Sequence, residues 1–439
     1  MHLPDHIPRL TLKPKEERRL LRGHLWAYRN EFAGLAGQGE AADKPEPADR
    51  PDRSGRSDRS DQSDRSDGSD RSDRSDRSTR PTPSTRSDKS PGPLSPLEDG
   101  CLVDVFSDSG KLVGRGFYQA EGGIAVRILD RAARPINAAF LRERVTQALS
   151  HRKRFFPGSR VYRWVHAESD GLPGLVADRF DSLVSIKTSC AFYEGMADAL
   201  TEVFLRQDGV EGISFEYRDT ARNFGRVPEE LEVSLDGVRL GFSLAQGQKT
   251  GLFLDQRENC RLLDAVAAGA RVLDAHCYVG LWSCRAIRAG AASVLGVDTS
   301  ARAVERAQRN AVLNGGADKC RFECAPVEKV FARGERYDVV CLDPPALAKT
   351  RAHLEKALEL YQALNRDGMK AVAPGGYLIT SSCSQPVDAA AFLEMLKRAS
   401  RSAQRQTALL ALRGAPPDHP VLMEMPETAY LKCAMLRIW

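Results

Sequence analysis

From residue 246 onward, short apolar runs begin at Arg271, Ser293, Cys320, Tyr337 and Gly376, separated by amphipathic stretches near Leu281, Ala301, His353 and Val387. Runs that are apolar on both faces, alternating with segments of helical period, predict a doubly wound parallel sheet. The last two runs, QTALLAL and AYLKCAMLRIW, have no long helix between them, which predicts an antiparallel pair at the sheet edge. Upstream the pattern is β-rich: RLTLKP alternates as a strand, KEERRLLRG is a short basic helix, and HLWAYRNEF reads as one further strand-like run. CLVDVFSDSGKLVGRGFYQ is a hairpin turning at Asp-Ser-Gly, and GIAVRILDR adds a strand. Together these make a small β-barrel-like unit over residues 1–39 plus 97–133. A helix over 136–156 with Phe140, Val145 and Leu149 on its apolar face opens a second unit, residues 134–245. There, strands in VYRWVHAESDGLPGLVADRF, SLVSIKTS and GISFEYRD, a helix over 193–206 and the hairpin LEVSLDGVRLGFSL predict an α+β module. The α/β sheet then occupies residues 246–439.

Residues 40–96 interrupt the first unit with a near three-residue repeat of Arg, Ser and Asp. Almost free of apolar side chains, this stretch cannot bury enough surface to offset its ordering entropy, and a disordered insertion is expected. Its opposite charges nearly cancel, so the net charge of +5 belongs to the rest of the 439 residues and suits a polyanionic partner. Lys13, Lys15, Arg18, Arg19 and Arg22 crowd into ten positions, either as a solvated helix face or as a phosphate-contacting patch. No apolar run approaches bilayer length and no signal-like core opens the chain, so a cytoplasmic protein without a membrane partner is expected. The ten cysteines form no CxxC pair and no His cluster accompanies them, which speaks against a metal site and for a reducing compartment.

Candidate chemistry starts at RVLDAHCYVGLWSCRAIRAGAASVLGVDTS, residues 271–300. Strand, loop, helix and second strand bring backbone N–H groups to a ligand, and an acid closing the second strand accepts from ribose hydroxyls. A dinucleotide needs a GxGxxG turn for its pyrophosphate, whereas this loop has one glycine, Gly280, and no GxxxxGK[ST] exists for a triphosphate. S-adenosylmethionine, with a ribose and no phosphate, fits better, although such a unit can also be purely structural.

After YDVVCL the chain reads Asp343-Pro344-Pro345, and after GGYLITS it reads Ser382-Cys383-Ser384. Both lie at carboxyl ends of predicted neighbouring strands, where open α/β sheets bind ligands. Asp343 is either a site carboxylate or a helix N-cap, and a cysteine is ordinarily a small buried hydrophobe. Beside a methyl donor, a carboxylate and a thiol suit one chemistry. Carbon 5 of a pyrimidine becomes nucleophilic once a thiolate adds at carbon 6, and an acid can hold the ring nitrogen that gains charge. Ala346 follows the two prolines where methylation of an exocyclic amine would call for a stacking aromatic.

These motifs resemble the bacterial 23S rRNA cytosine-5 methyltransferases, which join an N-terminal PUA domain, a central α+β domain and a Rossmann-like class I methyltransferase domain. The resemblance rests on LKPKEERRLLRGHLWAY, RGFY, ESDGLPGLVADRF, GQKTGLFLDQREN, LDPP, SSCS and DHPVLMEMPETAYLK, covering nearly the whole chain apart from the insertion. It implies Cys383 as nucleophile and Asp343 as the cytosine contact. It further implies that Asp274, Tyr278 and Gly280 hold the methionine moiety of S-adenosylmethionine, Asp298 its ribose, and Gln248, Lys249, Thr250 and Gln256 the pocket wall. Pro344, Pro345 and Lys349 would touch the base, and Arg18, Arg19 and Arg22 the RNA. A homodimer belongs to the same expectation. His419, in DHP, has either a structural hydrogen bond or a role in the site. Where the family loop tends to read Phe-x-Tyr-Thr-Gly-Gly-Phe, this chain has His276, Val279, Leu281 and Trp282 in place of Phe, Thr, the second Gly and the last Phe; Ala325 stands where an Asp often receives the adenine amine. Two other readings stay open: methylation of another base or atom with Cys383 structural, and a non-catalytic RNA-binding assembly platform.

Overall fold

The computed structural model describes residues 7–35, 94, 97–244, 250–348 and 350–439. The predicted insertion, apart from Leu94, and the site candidates Gln248, Lys249 and Lys349 lie outside these residues.

The first sheet is built from β1 (Arg9–Leu12), β2 (Trp26–Tyr28), β3 (Phe32–Leu35), β4 (Leu102–Phe106), β5 (Leu112–Tyr118) and β6 (Ile124–Asp130), in the order β2-β6-β5-β4-β1-β3. Helix α1 (Glu17–Arg22) buries Leu20 against it. HLWAYRNEF is not one strand. The Glu31 carboxylate accepts the Tyr28 main-chain N–H at 2.8 Å and turns Arg29–Glu31 into a 3₁₀ step, sending β2 and β3 to opposite ends of the pairing order.

In the central unit, α2 (Ala138–Phe155), α3 (Ala191–Gly195) and α4 (Ala197–Leu205) pack on a sheet of β7 (Val161–His166), β8 (Leu175–Phe180), β9 (Leu183–Thr188), β10 (Gly212–Tyr217) and β11 (Thr220–Gly225), ordered β11-β10-β9-β8-β7. The single helix expected over 193–206 is broken at Met196, which lies between α3 and α4. The hairpin β12 (Leu231–Leu235) and β13 (Val238–Phe242) contributes its buried residues to the core of the third unit.

That third unit holds β14 (Arg271–Ala275), α5 (Leu281–Arg288), β15 (Ser293–Asp298), α6 (Ala301–Leu313), β16 (Cys320–Cys324), α7 (Val327–Phe331) and β17 (Tyr337–Leu342). It continues through α8 (Leu354–Ala371), β18 (Val372–Ser382), α9 (Ala389–Ala403), β19 (Thr407–Arg413) and β20 (Lys432–Ile438). The order is β16-β15-β14-β17-β18-β20-β19, parallel from β16 to β18, with β20 antiparallel to both its neighbours. Separate apolar cores cover the two faces. Strand order reverses between β14 and β17, so the loops leaving these strands diverge and open a crevice at their carboxyl ends.

Buried charges fasten the units together. Glu168 accepts from Trp26 Nε1 at 2.8 Å and from Arg127 at 2.5 Å, joining the first sheet to the turn after β7. Two residues on, Asp170 takes both arms of fully buried Arg152 at 2.6 Å, and Arg152 also donates to the Asp418 carbonyl at 2.8 Å. Asp418 in turn accepts the Arg163 main-chain N–H at 3.0 Å and pairs with His419 at 2.8 Å. The ESDGLPG and DHP motifs thus meet at one joint, and His419 has a structural bond there. Removing one member of such a buried pair typically costs about 3–5 kcal/mol.

Candidate active site

The loop after β14 is wound tightly. His276, Tyr278 and Gly280 have φ of 64°, 48° and 84°, a left-handed path that is costly for the two non-glycine residues and persists where the surroundings impose it. At Gly280 a side chain would also come within 3.1 Å of the Ala307 Cβ. Asn310 of α6, fully buried, donates to the Val279 carbonyl at 2.9 Å and brackets Gly241 of β13 through both its N–H and its carbonyl, so the hairpin holds the loop from behind.

Asp298, closing β15, accepts from the main-chain N–H of Tyr278 at 3.0 Å and of Ser300 at 2.9 Å. The Tyr278 hydroxyl donates to the Gly251 carbonyl at 3.0 Å, and its ring meets Phe253 edge-on with centroids 5.0 Å apart. Asp274 lies beneath the loop. It has no exposed surface, one oxygen accepts from the Ser283 N–H at 2.9 Å and hydroxyl at 2.6 Å, and the other has no hydrogen-bond partner. Burial, opposed by those Ser283 bonds and reinforced by the carboxylates of Asp343 and Asp298, pushes its pKa up to about 7. Asp274 shapes the loop from below and does not line the crevice. Thr250 likewise departs from expectation: its buried hydroxyl donates to Asp178 of the central sheet, outside the crevice wall.

The crevice is lined by Tyr278 and Asp298 on one side and by Asp343, Pro344, Pro345 and Cys383 on the other, with Gln256 and Trp282 between them. Gln256 Nε2 donates to one Asp343 oxygen at 2.7 Å and Trp282 Nε1 to the other at 3.1 Å. Asn259 orients Gln256 by donating to its carbonyl at 2.8 Å. Half-buried Cys383 has its Sγ 3.9 Å from the Pro344 carbonyl, which brings the two strand-end motifs into contact. Behind it, the Ser384 hydroxyl accepts the Ala348 N–H and meets the Tyr361 hydroxyl, each at 3.0 Å. Lys432, at the start of β20, is buried, and burial pushes its pKa down to about 8.

Asp298, Tyr278, Asp343, Pro344, Pro345, Gln256 and Cys383 therefore come together as the sequence predicts. Trp282, Lys432 and Asp255, which accepts from the Tyr430 hydroxyl at 2.7 Å in the crevice wall, carried no sequence signal of their own. On α1, Arg18 and Arg22 are exposed, whereas Arg19 is partly engaged: its Nη2 donates to both Glu31 oxygens at 2.8 and 3.1 Å, its Nη1 contacts His24, and the guanidinium lies over the Tyr28 ring.

Residues 215–437 match the sequence profile of S-adenosylmethionine-dependent methyltransferases, and residues 10–55 and 88–131 that of a PUA-like domain. The chain belongs to the S-adenosylmethionine-dependent methyltransferase family. It is 32% identical to the ribosomal RNA large subunit methyltransferase I of Alteromonas mediterranea, over 76% of this chain and 89% of that one. To the protein of the same name from Shewanella denitrificans it is 31% identical, over 77% and 91%. A solved Streptococcus mutans structure described as a candidate S-adenosylmethionine-dependent methyltransferase shares the fold, with a TM-score of 0.75, 17% identity, and 98% and 100% of the two chains covered. A second structure, of a candidate methyltransferase in complex with S-adenosylhomocysteine, has a TM-score of 0.71 at 20% identity, covering 77% and 92%.

The crevice suits the cofactor of this methyltransferase family. Asp298 lines it at the β15 terminus, the strand end from which an acid accepts from ribose hydroxyls in sheets of this kind. At Ala325 the main-chain N–H is taken by the Asp298 carbonyl at 3.0 Å, so adenine recognition does not pass through that group. No helix among the described residues is long and apolar enough to cross a membrane.

Proposed function

We propose that this methyltransferase modifies carbon 5 of a cytosine in 23S ribosomal RNA through a covalent adduct between Cys383 and carbon 6. The observation that carries the reading is the convergence of Cys383 and Asp343 on one crevice wall, opposite Tyr278 and Asp298. Ribosomal RNA as substrate is supported by the names of the relatives, and the PUA-like segment and exposed Arg18 and Arg22 are suited to the RNA backbone.

S-adenosylmethionine, when bound, supplies an electrophilic methyl group. Cys383 adds to carbon 6 of an unstacked cytosine, which places electron density on carbon 5. Asp343, its oxygens oriented by Gln256 and Trp282, takes up a proton and donates it in a hydrogen bond to ring nitrogen 3, where negative charge builds as the thiolate adds. Once carbon 5 is methylated, its proton leaves and the Cys383–carbon 6 bond breaks by elimination, restoring the thiol and the aromatic ring. Pro344 and Pro345 fix the loop that carries Asp343, so little reorganisation accompanies the step. The reading includes a homodimer, for which edge strand β19 offers exposed Leu409, Leu410 and Leu412.

Nucleoside mass spectrometry of unmodified large-subunit rRNA, incubated with the protein and S-adenosylmethionine, tests the reading. New 5-methylcytidine is expected with the wild type, and a loss on the order of 10³-fold or more with Cys383→Ala. Unchanged product from Cys383→Ala would remove the covalent mechanism, and a different methylated nucleoside would move the target atom.

A further inference from the structure

Lys432 is a buried cation that the reaction described above does not use. The β18–β20 register sets it opposite Ser382, the residue before Cys383. Its Nζ donates to the main-chain carbonyls of Ser384 at 2.8 Å and Tyr430 at 2.7 Å, so it grips the residue after Cys383 as well. Among the described residues no carboxylate lies within ion-pair distance of it. A buried ammonium without a counter-ion is expensive, and a neutral donor would satisfy two carbonyls at lower cost. Retaining the charge makes physical sense where an anion forms beside it. The Cys383 thiol lies within its electrostatic reach.

We propose that Lys432 is the positioning residue of Cys383: it clamps the Ser382–Ser384 turn from below and stabilises the thiolate that attacks the base. This deepens the cytosine-5 reading and rests on it. Among the described residues, the other charged or titratable groups around the thiol work against the thiolate or are neutral. Asp343, at the end of β17, shares the crevice wall with it, and Asp388, ahead of α9, already caps that helix by accepting from the Ala391 N–H at 2.7 Å. Tyr361 of α8 presents a neutral hydroxyl, held at Ser384. Among the described residues Lys432 is a cation placed to offset the two carboxylates, and thiolates are favoured beside lysine.

The test is the pH dependence of iodoacetamide alkylation, resolved by peptide mass spectrometry on the full chain, with exposed Cys324 as an internal reference. In the wild type, Cys383 is expected to reach half its maximal alkylation rate at lower pH than Cys324. Lys432→Met, similar in length and apolar, should shift the Cys383 profile to higher pH and slow its alkylation about tenfold at neutral pH, leaving Cys324 unchanged. A role confined to holding the turn would lower the melting temperature and leave that profile in place. The proposal is overturned if Cys383 titrates with or above Cys324 in the wild type, a result that needs no variant to fold, or if Lys432→Met leaves the profile unmoved. Because no RNA enters the measurement, its outcome is separate from the cytosine-5 reading, which falls on product from Cys383→Ala.

Discussion

Asp274 is a carboxyl without water contact, and its raised pKa is a statement about stability. The unfolded chain releases this proton near the ordinary carboxyl value of 3.8, the native state only at about 7. Its contribution is therefore fully present below the unfolded value and is lost as pH rises through the native one, by about 4 kcal/mol in all. Urea unfolding of the ligand-free protein should show this decline between about pH 4 and pH 7, and Asp274→Asn should flatten it relative to wild type. Parallel curves for the two proteins would mean that the buried carboxyl ionises freely. Trp282 belongs to the same scale. Its N–H occupies an Asp343 oxygen that Phe, the residue the related loop carries there, cannot reach. Trp282→Phe should lower methyl transfer by roughly tenfold, the worth of one hydrogen bond to a charged group, with cofactor affinity nearly unchanged; an unaltered rate would show that the Trp282 bond is not needed to orient Asp343. Asp343 and Cys383 were legible in the sequence because strand ends of an open α/β sheet bind ligands whatever the remaining details. Trp282 and Lys432 were not, since one looked like an apolar replacement and the other like an ordinary lysine until strand register showed what each faces.

At the scale of elements, the turn after β7 does more than connect two strands. Glu168 receives Trp26 and Arg127 from the first sheet, and Asp170 receives Arg152 beside the Asp418 loop of the third unit. Glu168→Ala leaves the mostly buried Arg127 without its carboxylate and should destabilise the chain by about 3 kcal/mol. Proteolysis is expected to cut first near Tyr28 in that variant, with the α/β unit intact; a single cooperative loss of the whole chain would show that the joint is not separable. The parallel sheet was readable because its strands are apolar on both faces. β11 escaped the sequence reading for the opposite reason: TARNFG is exposed except for partly buried Phe224 and shows no apolar alternation. The split of HLWAYRNEF was hidden because one carboxylate folding back onto a main-chain N–H overrides a run with good strand propensity.

For the molecule as a whole, β19 pairs on one side only, and Leu410 and Leu412 on it are 52% and 40% exposed. If this edge carries the homodimer, Leu410→Glu with Leu412→Glu should convert a sedimenting dimer to monomer, and an unchanged sedimentation coefficient would move the interface elsewhere. The first sheet poses a different question, of how a domain tolerates a long interruption. β3 is antiparallel to β1 and β1 is parallel to β4, so the end of β3 and the start of β4 lie on the same side of the sheet with one strand between them. The span to be bridged is roughly 14 Å, two strand spacings across the sheet and about three residues along it. Each doubling of a connection across such a span costs only about 0.6 kcal/mol. The Arg-Ser-Asp repeat therefore joins two strand ends that their pairing with β1 already holds in place, so adding or dropping a unit by copying error need not shift a strand register. Strand pairing thus sets little limit on its length, and a tract of this kind can grow within a lineage at small cost in chain entropy.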